Sequence, residues 1–293
     1  MKNAIIYYYN IKIEEVHQNQ KCYWFNYNQK LYELYKVQTI NIKELLEIVN
    51  LLLKNRIPCH IPQMNILKSY TTLINNETYI LLQINEKSKE HIIFNDIYSL
   101  YKISDIKKPE NKKDWYTLWT SKIDYLELQL TEFGKKYPLL RKSFPYFCGL
   151  AENAIQLLEK INVTEYKINH YRIQNDEKLI DFLNPLNMLI DLKTRDISEY
   201  IKNNRKHINN INDIKYIIAK FKLNNEEIKL LFARIMFPNY YFDTFEEIIA
   251  QEKDEQEIII HINNIESIEH LLKNIYKYIR EITQIPNIEW LNN

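Results

Sequence analysis

Between residues 165 and 200 the chain changes pattern in quick succession, and this stretch constrains the fold more than any other. Residues 165–169 read as a short strand and residues 170–178 as a polar loop. Residues 186–191 read as a second, apolar strand, and Arg195-Asp196 opens a helix. The loop carries His170, Arg172, Asp176 and Glu177, and Asp191 closes the second strand.

The rest of the chain is ordinary in bulk. At 293 residues it can bury a substantial core, as two lobes or one large domain. Apolar content of 46% and charged content of 26% are those of a soluble globular protein. A net charge of +1 supplies no global field for nucleic acid or an anionic membrane. The excess of Ile, Asn, Lys and Tyr reads as codon bias rather than as low-complexity function. Cys22, Cys59 and Cys148 are isolated and odd in number, which argues against a disulfide framework or zinc cluster and for a reducing compartment. The N-terminus lacks the apolar core and cleavage site of a signal peptide, and no apolar run is long enough to span a membrane.

Residues 4–37 alternate apolar and polar over short runs, with residues 21–27 and 31–37 forming a hairpin around Asn28-Gln29. Asn41 caps an amphipathic helix with Leu45, Leu46, Val49, Leu52 and Leu53 on one face, ended by Pro58 and Pro62. A second hairpin, residues 66–74 and 78–84, turns at Asn75-Asn76-Glu77. From Glu86 the pattern turns helical, interrupted by the charged loop 107–113. Asp114 opens a long helix to about Tyr137, with Trp115, Leu118, Trp119, Ile123, Leu126 and Leu130 at helical spacing. Another helix starts at Lys142 or Ser143 and runs to about Ile161. Beyond the central strands, helices are expected over 196–204, 213–220, 225–236, 240–251 and 265–283. No internal repeat is visible.

The central stretch, with FPYFCGLAENAI at 144–155 and LLFARIMFPNYYFDTFEE at 230–247, resembles the spore-coat CotS/YutH family, in particular its YutH-type branch. That family is a branch of the kinase-like fold shared by aminoglycoside phosphotransferases and choline kinases. The resemblance covers most of the chain from about Asn10 onward. It implies an α+β, two-lobe fold: residues 1–85 a small antiparallel β lobe with one helix, residues 86–293 a larger helical lobe. Active members of the fold carry H-G-D-x-x-x-x-N, a strand ending I-D, and a helix beginning R-D-L-A. Here the loop reads His170-Tyr171-Arg172 with Glu177 in place of Asn, the strand ends Ile190-Asp191, and the helix begins Arg195-Asp196-Ile197-Ser198.

Phosphotransfer needs magnesium carboxylates, a cation on the phosphates, a backbone cradle and a base. A cradle uses glycines so that N–H groups approach phosphate without an intervening Cβ. Only Gly134 and Gly149 exist, both in the helical half, and residues 13–22, where such a loop belongs, contain none. Lys36 is the candidate phosphate-pairing lysine, with Glu44 or Glu47 as its helix partner; a solvent-exposed lysine on an alternating strand is the other reading. Arg172 stands where the base should be and stays protonated. Asp176 is the nearest substitute base, although Asn175-Asp176 also has the form of an ordinary turn. Asp191 is the candidate metal ligand, or else a strand-end carboxylate satisfied by backbone. Asp196 reads as a helix-start cap, and by resemblance also as a brace for the loop around His170. His170 reads as a structural histidine.

The dense tyrosines, among them Tyr7, Tyr8, Tyr9 and Tyr240-Tyr241, fit either a partner surface or core, and Glu252–Glu257 a solvated loop. The reading is a catalytically inactive, kinase-like component of the bacterial endospore coat. Its partners would be other coat proteins, and its place the mother-cell cytoplasm or the coat itself. No cofactor is expected. The alternative is an active phosphotransferase with relocated acids, using ATP and magnesium through Lys36, Asp176 and Asp191.

Overall fold

Two tight turns set the strand pairing of the first part of the chain. Asn28 and Gln29 have φ of 49° and 61°, and Asn75 and Asn76 have φ of 51° and 64°. Positive φ at both central residues matches the twist of a two-residue hairpin. In this computed structural model, which describes residues 1–104, 106–109, 114–159, 161–174, 176–208 and 210–292, both hairpins form.

Helix α1 (Lys2–Tyr9) leads into strands β1 (His17–Gln18), β2 (Cys22–Tyr27) and β3 (Lys30–Val37). Helix α2 (Ile42–Lys54) follows, then β4 (Ile61–Pro62), β5 (Thr71–Ile74), β6 (Glu77–Ile84) and α3 (Phe94–Tyr101). Next come α4 (Trp115–Phe133), α5 (Pro138–Leu158), β7 (Tyr166–His170), the one-turn helix α6 (Leu179–Phe182) and β8 (Met188–Leu192). The chain closes with α7 (Arg195–Asn203), α8 (Ile211–Lys220), α9 (Asn225–Met236), α10 (Asn239–Ile249), α11 (Ile259–Asn263) and α12 (Ile265–Ile282). The fold is protein-kinase-like, a small antiparallel sheet lobe and a helical lobe.

Two compact units emerge, Met1–Lys107 with Tyr166–Asp191, and Lys108–Glu165 with Leu192–Asn293. In the first, an antiparallel sheet runs β1-β2-β3-β6-β4, with β5 also paired to β6. Strand alternation gives it two apolar faces. One carries Phe25, Tyr32, Leu34, Tyr79 and Leu81, covered by Ile5 and Tyr9 of α1. The other carries Ile80, Leu82 and Ile84, covered by Leu45 of α2 together with Ile180 and Leu186. The pair β7-β8 belongs with this unit up to Asp191. The second unit is helical, with α5, α9 and α10 supplying buried aromatics such as Phe147 stacked on Tyr241 at 3.8 Å.

Several sequence expectations are corrected. Residues 2–9 are helical although rich in strand-forming Ile and Tyr, because Ile5 and Tyr9 fall four apart on the face that meets the sheet. Residues 66–70 form a loop folded around the buried Asn65, not a strand. Helix does not begin near Glu86; residues 85–90 and 92–93 carry no helix and His91 forms a bridge to Lys178 before α3 starts at Phe94. Leu53 and Leu118 are exposed rather than core. Helix α4 stops at Phe133, and α5 starts at Pro138, whose missing N–H suits a first helical turn. Residues 110–113 of the charged loop, Lys160 and Asn175 lie outside the described residues.

Candidate functional site

The site is built on the end of β7. His170, fully buried there, donates through Nε2 to the carbonyl oxygen of Phe182 at 2.8 Å and stacks on the Phe182 ring at 4.2 Å. Arg172 follows, half-buried, with an Nη1 donating to the Tyr171 carbonyl at 3.1 Å. Asp176 is exposed. Glu177 is buried, and its carboxylate accepts the Gln174 N–H at 2.9 Å. Burial pushes the Glu177 carboxyl upward, and Asp181 adds to this; the Gln174 hydrogen bond, His170 and Lys21 pull the other way.

Asp191 is buried on β8, and its backbone carbonyl accepts from Asn169 Nδ2 at 3.0 Å. The Tyr166 hydroxyl, also buried, has no hydrogen-bond partner among the described residues; burial and then the Asp191 charge push its pKa up. Asp196 lies in the second unit, in the first turn of α7 where its charge suits the helix dipole. The cap position itself belongs to Thr194, whose side chain makes no capping bond, so Asp196 is not the N-cap.

Register decides the fate of Lys36. On β3 the residues facing α2 are Leu31, Glu33, Tyr35 and Val37, opposite Ile84, Leu82, Ile80 and Thr78 of β6. Lys36 shares the other face with Tyr32 and Leu34 and pairs with Glu77 at 2.6 Å in solvent. It meets neither Glu44 nor Glu47. The Glu44 carboxylate instead accepts the Ile190 N–H at 2.8 Å and so anchors β8 to α2; Glu47 is half-buried on the same helix.

Glu33 and Tyr35 are the residues that sequence reasoning missed; strict two-residue alternation from Tyr32 and Leu34 would have found them. The Tyr35 hydroxyl donates to the Glu33 carboxylate. Burial pushes the Glu33 carboxyl upward against the Tyr35 hydrogen bond, with Asp181 adding to the rise and Lys21 opposing it. Lys21 itself sits 3.5 Å from Asp181. The inner face of β3 therefore presents a carboxylate where a phosphate would need a cation.

The backbone around this face is occupied by the chain itself. Asn19 Oδ1 accepts the N–H groups of Lys21 and Cys22, each at 2.8 Å, in the turn between β1 and β2. Across the unit, Leu179 N–H donates to Glu90 O at 2.9 Å, Ile180 N–H to Ser88 O at 3.1 Å, and Ile92 N–H to Glu177 O at 3.1 Å. This pairing holds α6 beneath the sheet, with Ile180 and Leu186 packed against Leu45, Ile80, Leu82 and Ile84.

In the second unit, Lys193 holds its buried ammonium 2.7 Å from both Glu165 and Glu227. Arg195 and Arg234 both lie over the Trp115 ring, at 5.5 and 4.4 Å. Among the described residues, the side chains that converge as a possible metal set are Glu127, Cys148 and Glu152, and Asp191 belongs to no such set. Burial and the two carboxylates push the Cys148 thiol up to about 12, so it is held as a thiol. All three cysteines are buried and unbridged. No helix among the described residues is long and apolar enough to cross a membrane.

Comparison with known proteins places this geometry. An aminoglycoside phosphotransferase from Alicyclobacillus acidocaldarius superposes with a TM-score of 0.68 at 10% identity, over 96% of this chain and 97% of that one. A spectinomycin phosphotransferase solved with ADP and spectinomycin gives 0.58 at 14% identity, over 95% and 96%. A choline kinase from Streptococcus pneumoniae gives 0.55 at 9% identity, over 94% and 98%. These likenesses are of fold. The endospore coat-associated protein YutH of Bacillus subtilis (strain 168) is 25% identical over 208 residues, which span 60% of this chain and 61% of that protein. The family described as "Spore coat putative kinase YutH" matches residues 2–285, and the chain belongs to that family.

Proposed function

We propose that this chain is a kinase-fold protein without phosphotransfer that serves as a structural or assembly component of the bacterial endospore coat. Its partners are other coat proteins, and it works in the mother-cell cytoplasm or in the coat. Family membership and the coat association of its Bacillus relative supply the destination. The observation that carries the loss of catalysis is the self-filled inner face of the first unit. The N–H groups of Lys21 and Cys22 are bound to Asn19, the carbonyls of Ser88 and Glu90 to the α6 turn, and β3 turns Glu33 inward. A polyphosphate carries several negative charges and would meet the Glu33 carboxylate there without a backbone cradle, which supports the reading that ATP is not bound. Arg172 reinforces this, since a guanidinium cannot accept the substrate proton.

The test is thermal unfolding with saturating ATP, in magnesium and in EDTA. A ligand at about 100 times its dissociation constant stabilises a fold by about 2.7 kcal/mol, which is several degrees. No rise in either buffer is expected. A magnesium-dependent rise abolished by Asp191→Ala would overturn the proposal and favour a working phosphotransferase, the activity named for the fold's solved neighbours. A fluorescent fusion that never reaches the forming spore surface would remove the coat assignment.

A further inference from the structure

The loop that follows β4 is built to hold apolar side chains in water. Asn65, itself buried, accepts at Oδ1 from the N–H groups of Leu67 and Ser69, each at 3.0 Å. Its Nδ2 donates to Thr71 O at 3.0 Å and Thr72 Oγ1 at 3.1 Å, and its N–H to Ser69 O at 2.9 Å. Ile66 N–H is fixed to Tyr8 O of α1 at 2.8 Å. On this rigid frame Ile66 and Leu67 project outward, 52% and 70% exposed, beside Met64 at 53%. Adjacent apolar side chains held in solvent on an ordered loop have their docking entropy largely settled beforehand. The exposed Lys68 follows directly, with no ion pair among the described residues.

The same unit carries a candidate receptor of mixed character. A cavity of about 460 Å³ opens between the start of α2 and the segment before β8, walled by Val37, Ile40 and Met188 and by the polar Thr39, Asn41 and Tyr171. Glu44 sits in its wall, bound to Asn41 and the Ile190 N–H but to no cation among the described residues. Loop and cavity lie with opposite faces of the sheet. The loop rests on α1, which covers one face, and the cavity adjoins α2, which covers the other.

We infer that the Ile66-Leu67 knob of one copy seats in this cavity of a second copy, with Lys68 brought to Glu44. The two surfaces differ and occupy opposite faces, so the contact is head-to-tail, and copies add until the series closes into a ring or extends as a filament. The inference deepens the assembly role proposed above by naming the chain as its own partner. Nucleotide binding does not bear on it, so the thermal-shift result and the result below can fail separately.

The experiment is sedimentation velocity on the full chain from micromolar to near-millimolar concentration. Species growing beyond the dimer with concentration are expected. Leu67→Asp removes the knob and Thr39→Trp fills the cavity mouth from an exposed position. Each alone should lower the association constant at least about tenfold, the loss of one buried leucine contact. Their equimolar mixture should form a dimer and nothing larger, because one intact knob meets one intact cavity. Unchanged melting curves certify that both variants fold. A wild-type chain that stays monomeric throughout, a Leu67→Asp chain that assembles like wild type, or a mixture that stays monomeric would each overturn the inference.

Discussion

His60 and Ile180, 120 positions apart in sequence, are joined by a 2.8 Å hydrogen bond from the buried imidazole Nε2 to the backbone carbonyl. His170 makes the equivalent bond to Phe182. Two buried histidines thus bind the carbonyls that the one-turn helix α6 cannot satisfy internally. That helix supplies the side chain beneath the sheet, so the histidines hold the filling in place.

Burial lowers the pKa of His60, against the raising effects of the Ile180 hydrogen bond, Asp181 and Glu86. A histidine depressed in the folded state leaves the unfolded chain binding more protons. Its stabilising contribution is complete above the unfolded pKa of about 6.5 and is lost as pH falls toward the folded value. His261, pushed down to about 4 by burial and then by Arg205 and Lys253, acts in the same direction. Melting temperature should fall between about pH 6.5 and pH 4, and the double variant His60→Gln, His261→Gln should flatten that slope. An unaltered slope in the double variant would refute the assignment.

Glu44 and Lys36 should behave as unrelated residues. Glu44→Ala leaves the Ile190 N–H without its acceptor and should cost about 1–3 kcal/mol, whereas Glu44→Gln keeps an acceptor and should cost far less. Lys36→Ala breaks only an exposed, solvent-screened pair and should leave the melt close to that of the unaltered chain. Urea melts decide this, and a strong coupling between the two positions in a double-mutant cycle would contradict the register of β3.

Phe182→Ala should be the most damaging change in α6. The ring is fully buried against His170, and its loss should cost about 3–5 kcal/mol by denaturant unfolding. A cost below about 1 kcal/mol would mean that the turn is not packed beneath the sheet.

Gln29→Gly should stabilise the chain by up to about 1 kcal/mol, since left-handed backbone strains a residue with a Cβ. Gln29→Val should do the opposite by a similar amount, and equal melting temperatures for both would show that the turn is not left-handed.

Much of this architecture was legible because it is written locally. Asn41 accepts the Glu44 N–H as a cap, Asn224 forms a reciprocal capping box with Glu227, and the helix 225–236 was readable to the residue. The Asn28-Gln29 hairpin was equally plain, and so was the family, from its helical blocks. What escaped was set by long-range partners. The helix at residues 2–9 takes its shape from the sheet it covers, against its own strand propensity. Of the two readings of Lys36, the register gives the exposed lysine on an alternating strand; the phosphate-pairing reading fails by a single step of alternation, which sends a side chain to the opposite face. The pairing of residues 88–92 with 177–180 runs through backbone groups, which every residue carries, and so leaves no trace in side-chain pattern.

The placement of Ile180 and Leu186 has a consequence for how this unit tolerates change. They are the floor of the sheet as well as the packing beneath it, against Ile80, Leu82 and Ile84. Trimming either side chain enlarges the space under the sheet and removes support from it in the same step, so room and stability trade against each other at these two positions.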